Sequence, residues 1–493
     1  MRGELSKSRY MKGIQCPKML WMDEYMPQLA TPSDASTQIE NGKTVGELAR
    51  AYFGNYALVP WSANHSAMAE ETARLMEEGT ECIAEASFLA DGLFCSVDIL
   101  RKTEEGYDLV EVKSTTKVEV EHLEDVGFQY HVLVNSGIPI DHIFVMHINN
   151  TYVRHGELDL QGLFVMEDCT ETAKERSAAV PARVKEIREC LCSDEEPVRD
   201  IDKYCEKPYE CAYINYCRRH VPTPSVFDIS NFSKKYEFYH KGIVTFQDIV
   251  EKKAHLSEKQ RMQVETTYYQ RPDHIDRKKI RKFLDTLTYP IYHLDFETYN
   301  KPIPEYDGTW PYEQIPFQYS LHIEQEDGSL EHREFLAEAG MDPRREIAEH
   351  LVHDIPDDVC VLAYNMSFER GRLKELAGMY PDLAEHLMKI HDNIRDLIIP
   401  FRRQDYYAEA MKGRSSIKAV LPALYPGDPA LDYHNLEGVH RGDEASAAFL
   451  NLINLSPEEA EKTRENLLKY CCLDTYAMVK VLGKLRNVAG EDM

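Results

Sequence analysis

The sequence predicts an α/β protein of several domains. At 493 residues the chain is long enough for two or three domains, each with its own hydrophobic core. The segments IYHLDFETY (291–299) and VCVLAY (359–364) are typical of buried β-strands, and ENLLKYCCLDTYAMVKVLGKL (465–485) has the apolar spacing of a helix. We expect an N-terminal domain, a helical connector and a C-terminal domain over residues 1–222, 223–285 and 286–493.

The strand IYHLDFETY carries two carboxylates, Asp295 and Glu297, one residue apart. Side chains at positions i and i+2 of a strand point to the same face, so both acids should meet at one spot. Carboxylates held that close repel each other unless a cation lies between them. The pair therefore predicts a site for a hard divalent cation, Mg²⁺ or Mn²⁺.

Two later segments supply further groups for this site. In VCVLAYNMSFERGRL a strand runs through Tyr364 and a helix begins near Ser367, which puts Glu369 in the first helical turn. On the helix of residues 465–485, Tyr470 and Asp474 stand four apart and share one face. Acids on a strand, at a strand-to-helix junction and on a late helix are what two-metal hydrolysis of a phosphodiester requires, and Tyr470 would orient the attacking water.

Residues 286–493 resemble the RNase H-like (DnaQ-like) 3'-5' exonucleases of the DEDDy type. The resemblance implies a catalytic role for the side chains of the three family motifs, which in this sequence are Asp295, Glu297, Glu369, Tyr470 and Asp474. It implies metal binding by Asp295, Glu297 and Asp474. The family has aspartate where this chain has Glu369, so Asp392 or Asp396 could supply the fourth acid instead.

Four of the twelve cysteines form a pattern. Cys205, Cys211 and Cys217 recur with five residues between neighbours, and Cys16 stands far upstream. The N-terminal sequence lacks a signal-peptide pattern, so free thiols in a reducing compartment are expected. Structural zinc favours paired C-x-x-C ligands, whereas four unevenly spaced thiolates are typical of an iron–sulfur cluster. The alternative is that some of the four are small buried hydrophobic residues.

Between these cysteines, FCSVDILRKT (94–103) and YDLVEVKSTTKV (107–118) predict two consecutive strands. Asp98 lies on the first strand, while Glu111 and Lys113 occupy alternate positions of the second and face one side. Two acids that bind Mg²⁺ and a lysine that stabilises developing negative charge form a hydrolytic site. An isolated E-x-K pattern is usually a solvated strand edge, but the aspartate on the preceding strand favours the site.

Residues 1–222 resemble the RecB-like PD-(D/E)xK nucleases, which have a restriction-endonuclease-like fold, and especially the four-cysteine exonucleases associated with CRISPR systems. In that family one cysteine precedes the nuclease core and three follow it, which implies a cluster of the 4Fe-4S type on Cys16, Cys205, Cys211 and Cys217. The resemblance also implies catalytic roles for Asp98, Glu111, Lys113, Gln129 and, as a candidate without the usual nearby histidine, Glu47. With both halves in one chain, the sequence resembles an uncharacterised bacterial family that fuses a RecB-like nuclease to an RNase H-like exonuclease.

The formal net charge is −27, from 57 basic and 84 acidic residues, which argues against loose nucleic-acid binding over the whole surface. Basic residues gather most densely in RPDHIDRKKIRK (271–282), which is either a solvated helix face or a phosphate contact. No apolar run approaches the ~18 residues of a membrane span. In the connector, the turn at Gly242 fits a helix-hairpin-helix unit or a plain αα-hairpin.

These patterns predict a cytoplasmic, metal-dependent nuclease with two sites, acting in DNA repair or in defence. The C-terminal site would remove nucleotides from 3' ends, chiefly of single-stranded DNA, and the N-terminal site would cut or capture DNA. Two alternatives stay open. The chain could be a non-catalytic clamp on nucleic acid, because Glu369 replaces an aspartate and a histidine is missing near Glu47. It could also act on RNA, since no residue reports on the 2'-hydroxyl.

Overall fold

The computed structural model describes residues 4–32 and 36–490. The chain folds into two compact units: unit 1, Met1–His220 with Lys301–Tyr312, and unit 2, Val221–Asn300 with Glu313–Met493. Each unit combines helices with β-sheet, so the predicted α/β class is confirmed. Across the described ranges, no helix combines the length and the apolar composition needed to cross a membrane.

The described strands of unit 1 are β1 (Leu5–Ser6), β2 (Ala57–Leu58), β3 (Cys82–Ala90), β4 (Leu93–Lys102), β5 (Tyr107–Lys113), β6 (Ile140–Ile148) and β7 (Phe164–Asp168). They form one sheet in the order β2-β3-β4-β5-β6-β7, with β1 parallel to the start of β4. Strands β3, β4 and β5 are successively antiparallel, and β6 runs parallel to β5. The two strands predicted around Asp98 and Glu111 are thus confirmed as β4 and β5.

The described helices of unit 1 are α1 (Lys7–Gln15), α2 (Pro17–Tyr25), α3 (Ser36–Tyr52), α4 (His65–Glu77), α5 (Val120–Asn135), α6 (Leu160–Leu163), α7 (Thr170–Ser177), α8 (Val180–Leu191) and α9 (Ile214–Cys217). They cover both faces of the sheet. Successive strand residues point to opposite sides, and apolar residues on each side pack against helices. Leu109 of β5 packs in the core with Phe128 of α5, while Val110 packs in the other core with Val45 of α3.

The described strands of unit 2 are β8 (His274–Ile275), β9 (Ile291–Tyr299), β10 (Ile315–Glu324), β11 (Leu330–Leu336), β12 (Cys360–Ala363), β13 (Ile394–Asp396) and β14 (Tyr406–Tyr407). Five of them form a sheet in the order β11-β10-β9-β12-β13, and β8 pairs with β14. The first three strands, β9, β10 and β11, are antiparallel neighbours, whereas β12 and β13 run parallel to β9. The strands predicted at 291–299 and 359–364 are confirmed, although β12 is shorter.

The described helices of unit 2 are α10 (Lys235–His240), α11 (Phe246–Glu251), α12 (Glu258–Tyr268), α13 (Arg277–Leu284), α14 (Arg344–Asp354), α15 (Ser367–Met379), α16 (Ala384–Asn393), α17 (Ile399–Arg402), α18 (Ile417–Leu424), α19 (Gly442–Asn451) and α20 (Pro457–Ala489). Helix α20 starts at a capping box between Ser456 and Glu459 and ends before Gly490, which has a positive φ of 79°. It packs on β9 and β10, and the predicted helix at 465–485 is its middle.

The segment predicted as a helical connector, 223–285, contains α10 to α13 and belongs to unit 2. Its turn at Gly242 joins α10 to α11. The amide of Gly242 donates to the carbonyl of Tyr239 and that of Ile243 to the carbonyl of Phe238, both at 2.9 Å. Because these turn amides are used within the turn, they are not free to hold a phosphate, and the motif is a plain αα-hairpin.

Candidate functional site

Three carboxylates of unit 2 meet where α20 crosses β9. Asp295 and Glu297 lie on β9 and Asp474 lies on α20, and one oxygen of each lies within 4.8 Å of the other two. The spacing of the two β9 acids puts them on one face, while Leu294 and Phe296 are buried. The structure therefore brings together three of the predicted metal ligands, from a strand and a helix that are distant in sequence.

Each of these three carboxylates has a raised pKa. Burial, and then the charges of Asp474 and Glu297, raise the pKa of Asp295 well above its usual range. Burial and Asp474 raise the pKa of Glu297 to about 8, and burial raises the pKa of Asp474 to about 6. The pocket thus gathers more negative charge than its surroundings neutralise, which is the condition under which a divalent cation binds.

Glu369 lies in the first turn of α15, which begins at Ser367 as predicted. Its side chain is buried, and its Oε2 has no hydrogen-bond partner in the described part of the chain. Burial raises the pKa of Glu369 to about 8, and the charge of Glu369 in turn raises the pKa of Asp295. A buried carboxylate oxygen without a partner is costly unless a cation or a water satisfies it. Glu369 therefore extends the acidic pocket.

The other two candidates for the fourth acid have different roles. Asp396 ends β13, and its Oδ1 accepts the backbone N–H groups of Asn365 at 2.9 Å and Ile398 at 3.2 Å. It therefore holds the turn between β12 and α15. Asp392 is exposed on α16 and pairs with Nδ1 of His391 at 2.8 Å. The structure thus favours Glu369 as the fourth acid.

Two side chains without a role in the sequence analysis border this pocket. Lys418 of α18 donates to the hydroxyl of Tyr470 at 2.9 Å and to the carbonyl of His440 at 3.0 Å. Its ammonium group lies 4.9 Å and 5.0 Å from the ring centroids of Tyr433 and Tyr470. Tyr433 donates a 2.6 Å hydrogen bond to Oδ1 of Asp474. The Tyr470 hydroxyl, expected to orient a water, here accepts a hydrogen bond from a lysine.

In unit 1, Asp98 lies at a fork in the sheet. Strand β4 pairs with β1 near its start and with β5 toward its end, and Asp98 lies between the two pairings. Its Oδ2 fills the gap by accepting the backbone N–H of Val112 at 2.7 Å. Because that residue stands between Glu111 and Lys113 on β5, the fork places the three predicted residues close together.

Glu111 is the centre of a buried hydrogen-bond network. Its Oε1 accepts from Nζ of Lys113 at 2.6 Å and from Nζ of Lys7 at 2.7 Å, and its Oε2 accepts from Nε2 of Gln129 at 2.7 Å. Asp125 accepts from Lys113 at 2.7 Å and from Gln129 at 2.9 Å. The network therefore joins three predicted residues to Lys7 and Asp125, to which the sequence analysis assigned no role.

The two lysines neutralise much of the charge in this network. Burial, and then Asp125 and Asp98, raise the pKa of Glu111 to about 7, and burial raises the pKa of Asp98. Burial also acts to raise the pKa of Asp125, but the ammonium groups of Lys113 and Lys7 outweigh it and lower that pKa. Two lysines act on Glu111, Asp98 and Asp125 here, whereas in unit 2 the single lysine Lys418 acts against the raised pKa values of Asp295, Glu297 and Asp474. The unit 1 site therefore needs a metal cation less.

The prediction of Glu47 as part of this site is not supported. Glu47 is exposed on α3, and Arg50, one turn later, pairs with Glu85 at 2.6 Å. Glu85 of β3 has a φ of 56°, and the ladder between β3 and β4 omits the pair of Glu85 and Asp98, while the register is the same on either side. The charge of Glu85 contributes to the raised pKa of Asp98. Glu85 is thus the acid that the fold places near Asp98.

The four predicted cluster cysteines line one cavity, with Cys16 between α1 and α2 and the other three after α8. Among the described residues, no three of these sulfur atoms lie within 4.8 Å of one another. A tetrahedral zinc ion would hold thiolates about 3.8 Å apart. The sulfur atoms are therefore farther apart than a single zinc ion would hold them, and the four-thiol donor set fits a cluster of several irons.

A family model described as Domain of unknown function (DUF2779) matches residues 292–416. The matched range contains Asp295, Glu297 and Glu369 and ends shortly before Lys418. It covers about a quarter of the chain, all of it C-terminal to the four-cysteine region. The match therefore concerns the part of unit 2 that carries two of the three acidic motifs.

Three relatives are similar over part of the chain. Uncharacterized protein MG366 of Mycoplasma genitalium is 26% identical over 209 residues, which is 38% of this chain and 31% of the relative. The MG366 homolog of Mycoplasma pneumoniae is 27% identical over 208 residues, and Uncharacterized protein UU173 of Ureaplasma parvum is 26% identical over 222 residues. The chain spans less than a third of the length of these curated relatives, whose names state no function. No solved structure gives a significant match.

Proposed function

We propose that the protein is a metal-dependent nuclease whose unit 2 removes nucleotides from the 3' end of single-stranded DNA. The observation that carries the proposal is the meeting of Asp295, Glu297 and Asp474 oxygens within 4.8 Å, in a buried pocket that raises all three pKa values. The strand order β11-β10-β9-β12-β13 supports it, since it is the order expected of an RNase H-like domain.

The donors of this pocket fit Mg²⁺ or Mn²⁺, which prefer carboxylate oxygens. Glu369 contributes a buried oxygen that has no partner among the described residues. When bound, a pair of such ions supplies an activated water and stabilises the leaving oxygen. Tyr433 orients the carboxylate of Asp474 through its 2.6 Å hydrogen bond, and Lys418 fixes the hydroxyl of Tyr470 at the edge of the pocket.

Unit 1 is proposed as a second, RecB-like nuclease site that is held together by an iron–sulfur cluster. Asp98, Glu111 and Asp125 would bind the metal there, and Lys113 would stabilise negative charge that develops on the scissile phosphate. Lys7 and Lys113 already neutralise Glu111 in the metal-free protein, at 2.7 Å and 2.6 Å. We therefore expect this site to bind metal more weakly and to need a higher metal concentration for half-maximal activity than the site in unit 2.

Digestion of end-labelled single-stranded DNA, double-stranded DNA and RNA tests the proposal. We expect the wild type to shorten single-stranded DNA from the 3' end in Mn²⁺ or Mg²⁺ and to be inactive in chelator. If Lys113→Ala no longer cleaves one of the substrates, while the exposed control Lys117→Ala still does, that substrate is assigned to unit 1. Equal DNA binding in chelator and in metal, without cleavage, would support a non-catalytic clamp instead. Preference for the RNA substrate would support an RNA exonuclease.

The cluster makes a separate prediction. Replacing Cys211 with serine should remove the brown colour and most of the iron, expected at about four atoms per chain, and should lower the melting temperature of unit 1. Iron content and visible absorption of anaerobically purified protein measure this. Cys192→Ser is the matched control, because Cys192 is exposed and lies outside the cavity. A colourless wild type with one zinc ion per chain would contradict the prediction.

A further inference from the structure

A second group of metal-binding side chains lies in unit 2. His322 on β10, His332 on β11 and Cys472 on α20 each offer one ligand atom, and these atoms all lie within 4.8 Å of one another. Two imidazoles and a thiol suit Zn²⁺ and similar borderline ions rather than Mg²⁺ or Mn²⁺. We propose that these three side chains form a zinc-type site, distinct from the carboxylate pocket.

The register of the sheet places the two histidines together. His322 and His332 are direct partners in the ladder between β10 and β11, and their ring centroids lie 4.5 Å apart. Direct partners of an antiparallel pair share one face. Helix α20 contacts both strands and brings Cys472 to the same place. Cross-strand pairs usually stabilise a sheet through opposite charges or through apolar contact. Two neutral imidazoles provide little of either, so a contribution to sheet stability is a poor explanation for this pair.

Hydrogen bonds orient both rings. Nδ1 of His322 lies 2.8 Å from Oγ1 of Thr475, and Nε2 of His332 lies 2.9 Å from Oγ of Ser320. The two hydroxyl groups lie 2.7 Å from each other. Each ring thus has one nitrogen bonded to a hydroxyl and a second nitrogen outside these bonds. Metal-binding histidines commonly have this arrangement, because the outer partner fixes the orientation and the tautomer of the ring.

The two sites of unit 2 use different faces of α20. Cys472 and Asp474 are two positions apart, and residues at that spacing on a helix do not face each other. Asp474 accepts from Tyr433 in the carboxylate pocket, whereas Cys472 lies with the histidines. One site is built from oxygen atoms and the other from nitrogen and sulfur, so each selects its own ion.

The zinc-type site is reachable and needs little rearrangement. The side chain of His332 is 28% exposed. Zinc bonds of about 2.0 to 2.3 Å put tetrahedral ligands about 3.3 to 3.8 Å apart, so ligand atoms that lie within 4.8 Å of one another have to close by at most about 1.5 Å. Three protein ligands leave the fourth position of a tetrahedral zinc ion to water. Binding would fasten β10 and β11 to α20, the helix that carries Asp474.

Zinc content of the full-length protein, purified anaerobically, tests the inference. Protein loaded with zinc in excess Mg²⁺ and then desalted should hold one zinc equivalent more in the wild type than in His332→Gln or Cys472→Ser. His434→Gln and Cys192→Ser are the controls, because both positions are exposed and lie outside the group. Equal zinc content in all five proteins would overturn the proposal.

The zinc-induced change in melting temperature distinguishes loss of the site from loss of the fold. Zinc should raise the melting temperature of the wild type and of both controls by several degrees, and that of His332→Gln by much less, because only the native fold with an intact site gains binding energy. His332 is partly exposed, so its replacement should leave the metal-free melting temperature almost unchanged. The same zinc-induced shift in wild type and His332→Gln would contradict the assignment.

Discussion

Replacing Asp295 with asparagine is expected to lower metal-dependent cleavage of single-stranded DNA by at least about 10²- to 10³-fold. Asparagine keeps the shape of the side chain but removes its negative charge. Asp295 stands between Glu297, two residues along β9, and Asp474 on α20, and all three offer oxygens within 4.8 Å. The loss of one charge from this group should weaken metal binding and leave the remaining ligands incomplete.

Initial rates on a 3'-labelled oligonucleotide, measured over a range of Mn²⁺ concentrations, check this expectation. A higher half-saturating Mn²⁺ concentration would locate the defect in metal binding, and a lower maximal rate would locate it in the chemical step. Asp392→Asn is the matched control, since Asp392 is an exposed acid of the same unit that pairs only with His391 among the described residues. Equal activity of the two variants would exclude the carboxylate pocket as the catalytic site.

The parts of both sites that follow from local spacing were predictable. Asp295 with Glu297, and Glu111 with Lys113, lie two apart on strands, and that spacing fixes a shared face whatever the fold. Tyr470 and Asp474 stand four apart on a helix in the same way. Asp125 could have been found by this rule too, because it precedes Gln129 by four residues on α5 and faces Glu111 with it.

The groups that the sequence analysis left unassigned come from distant parts of the chain. Lys7 reaches Glu111 across 104 positions because β1 pairs with β4 and ends beside the fork at Asp98. Tyr433 lies 41 positions before Asp474, in a segment without a recognisable pattern. The expectation for Glu47 relied on a motif, and the structure places this residue exposed on α3. No local spacing reveals that Glu85 of β3 has a positive φ and stands across the ladder from Asp98.

The metal-free protein is expected to be more stable at pH 7 than at pH 9, because the pocket of unit 2 holds acids with raised pKa values. Glu297 and Glu369 have a pKa of about 8 in the folded protein, against an ordinary value of 4.5. Between these values the folded chain binds protons that the unfolded chain does not bind. Stability therefore falls as the pH rises through 8, and it would be greatest for these groups below pH 4.5.

Buried neutral histidines set the lower end of the pH range over which stability falls with rising pH. Burial lowers the pKa of His322 to about 3. Below about pH 6.5 the unfolded chain therefore binds a proton at this histidine that the folded chain does not bind, and stability falls as the pH is lowered further. Between pH 7 and pH 9 the two glutamates together should change the free energy of unfolding by about 3 kcal/mol. For a domain of this size that corresponds to a fall of about 5 to 10 °C in the melting temperature.

Calorimetry of the unit 2 transition in chelator, at pH 7, 8 and 9, measures this slope. The double variant Glu297→Gln, Glu369→Gln should show a clearly smaller fall in melting temperature from pH 7 to pH 9 than the wild type, with Asp295 contributing the remaining slope, whereas Asp392→Asn should keep the wild-type slope. Saturating Mn²⁺ should raise the melting temperature most at pH 9, because bound cations take the place of the protons on the ionised carboxylates. A wild-type slope that persists in the double variant would mean that other groups cause it and that the acidic pocket is already neutralised without metal.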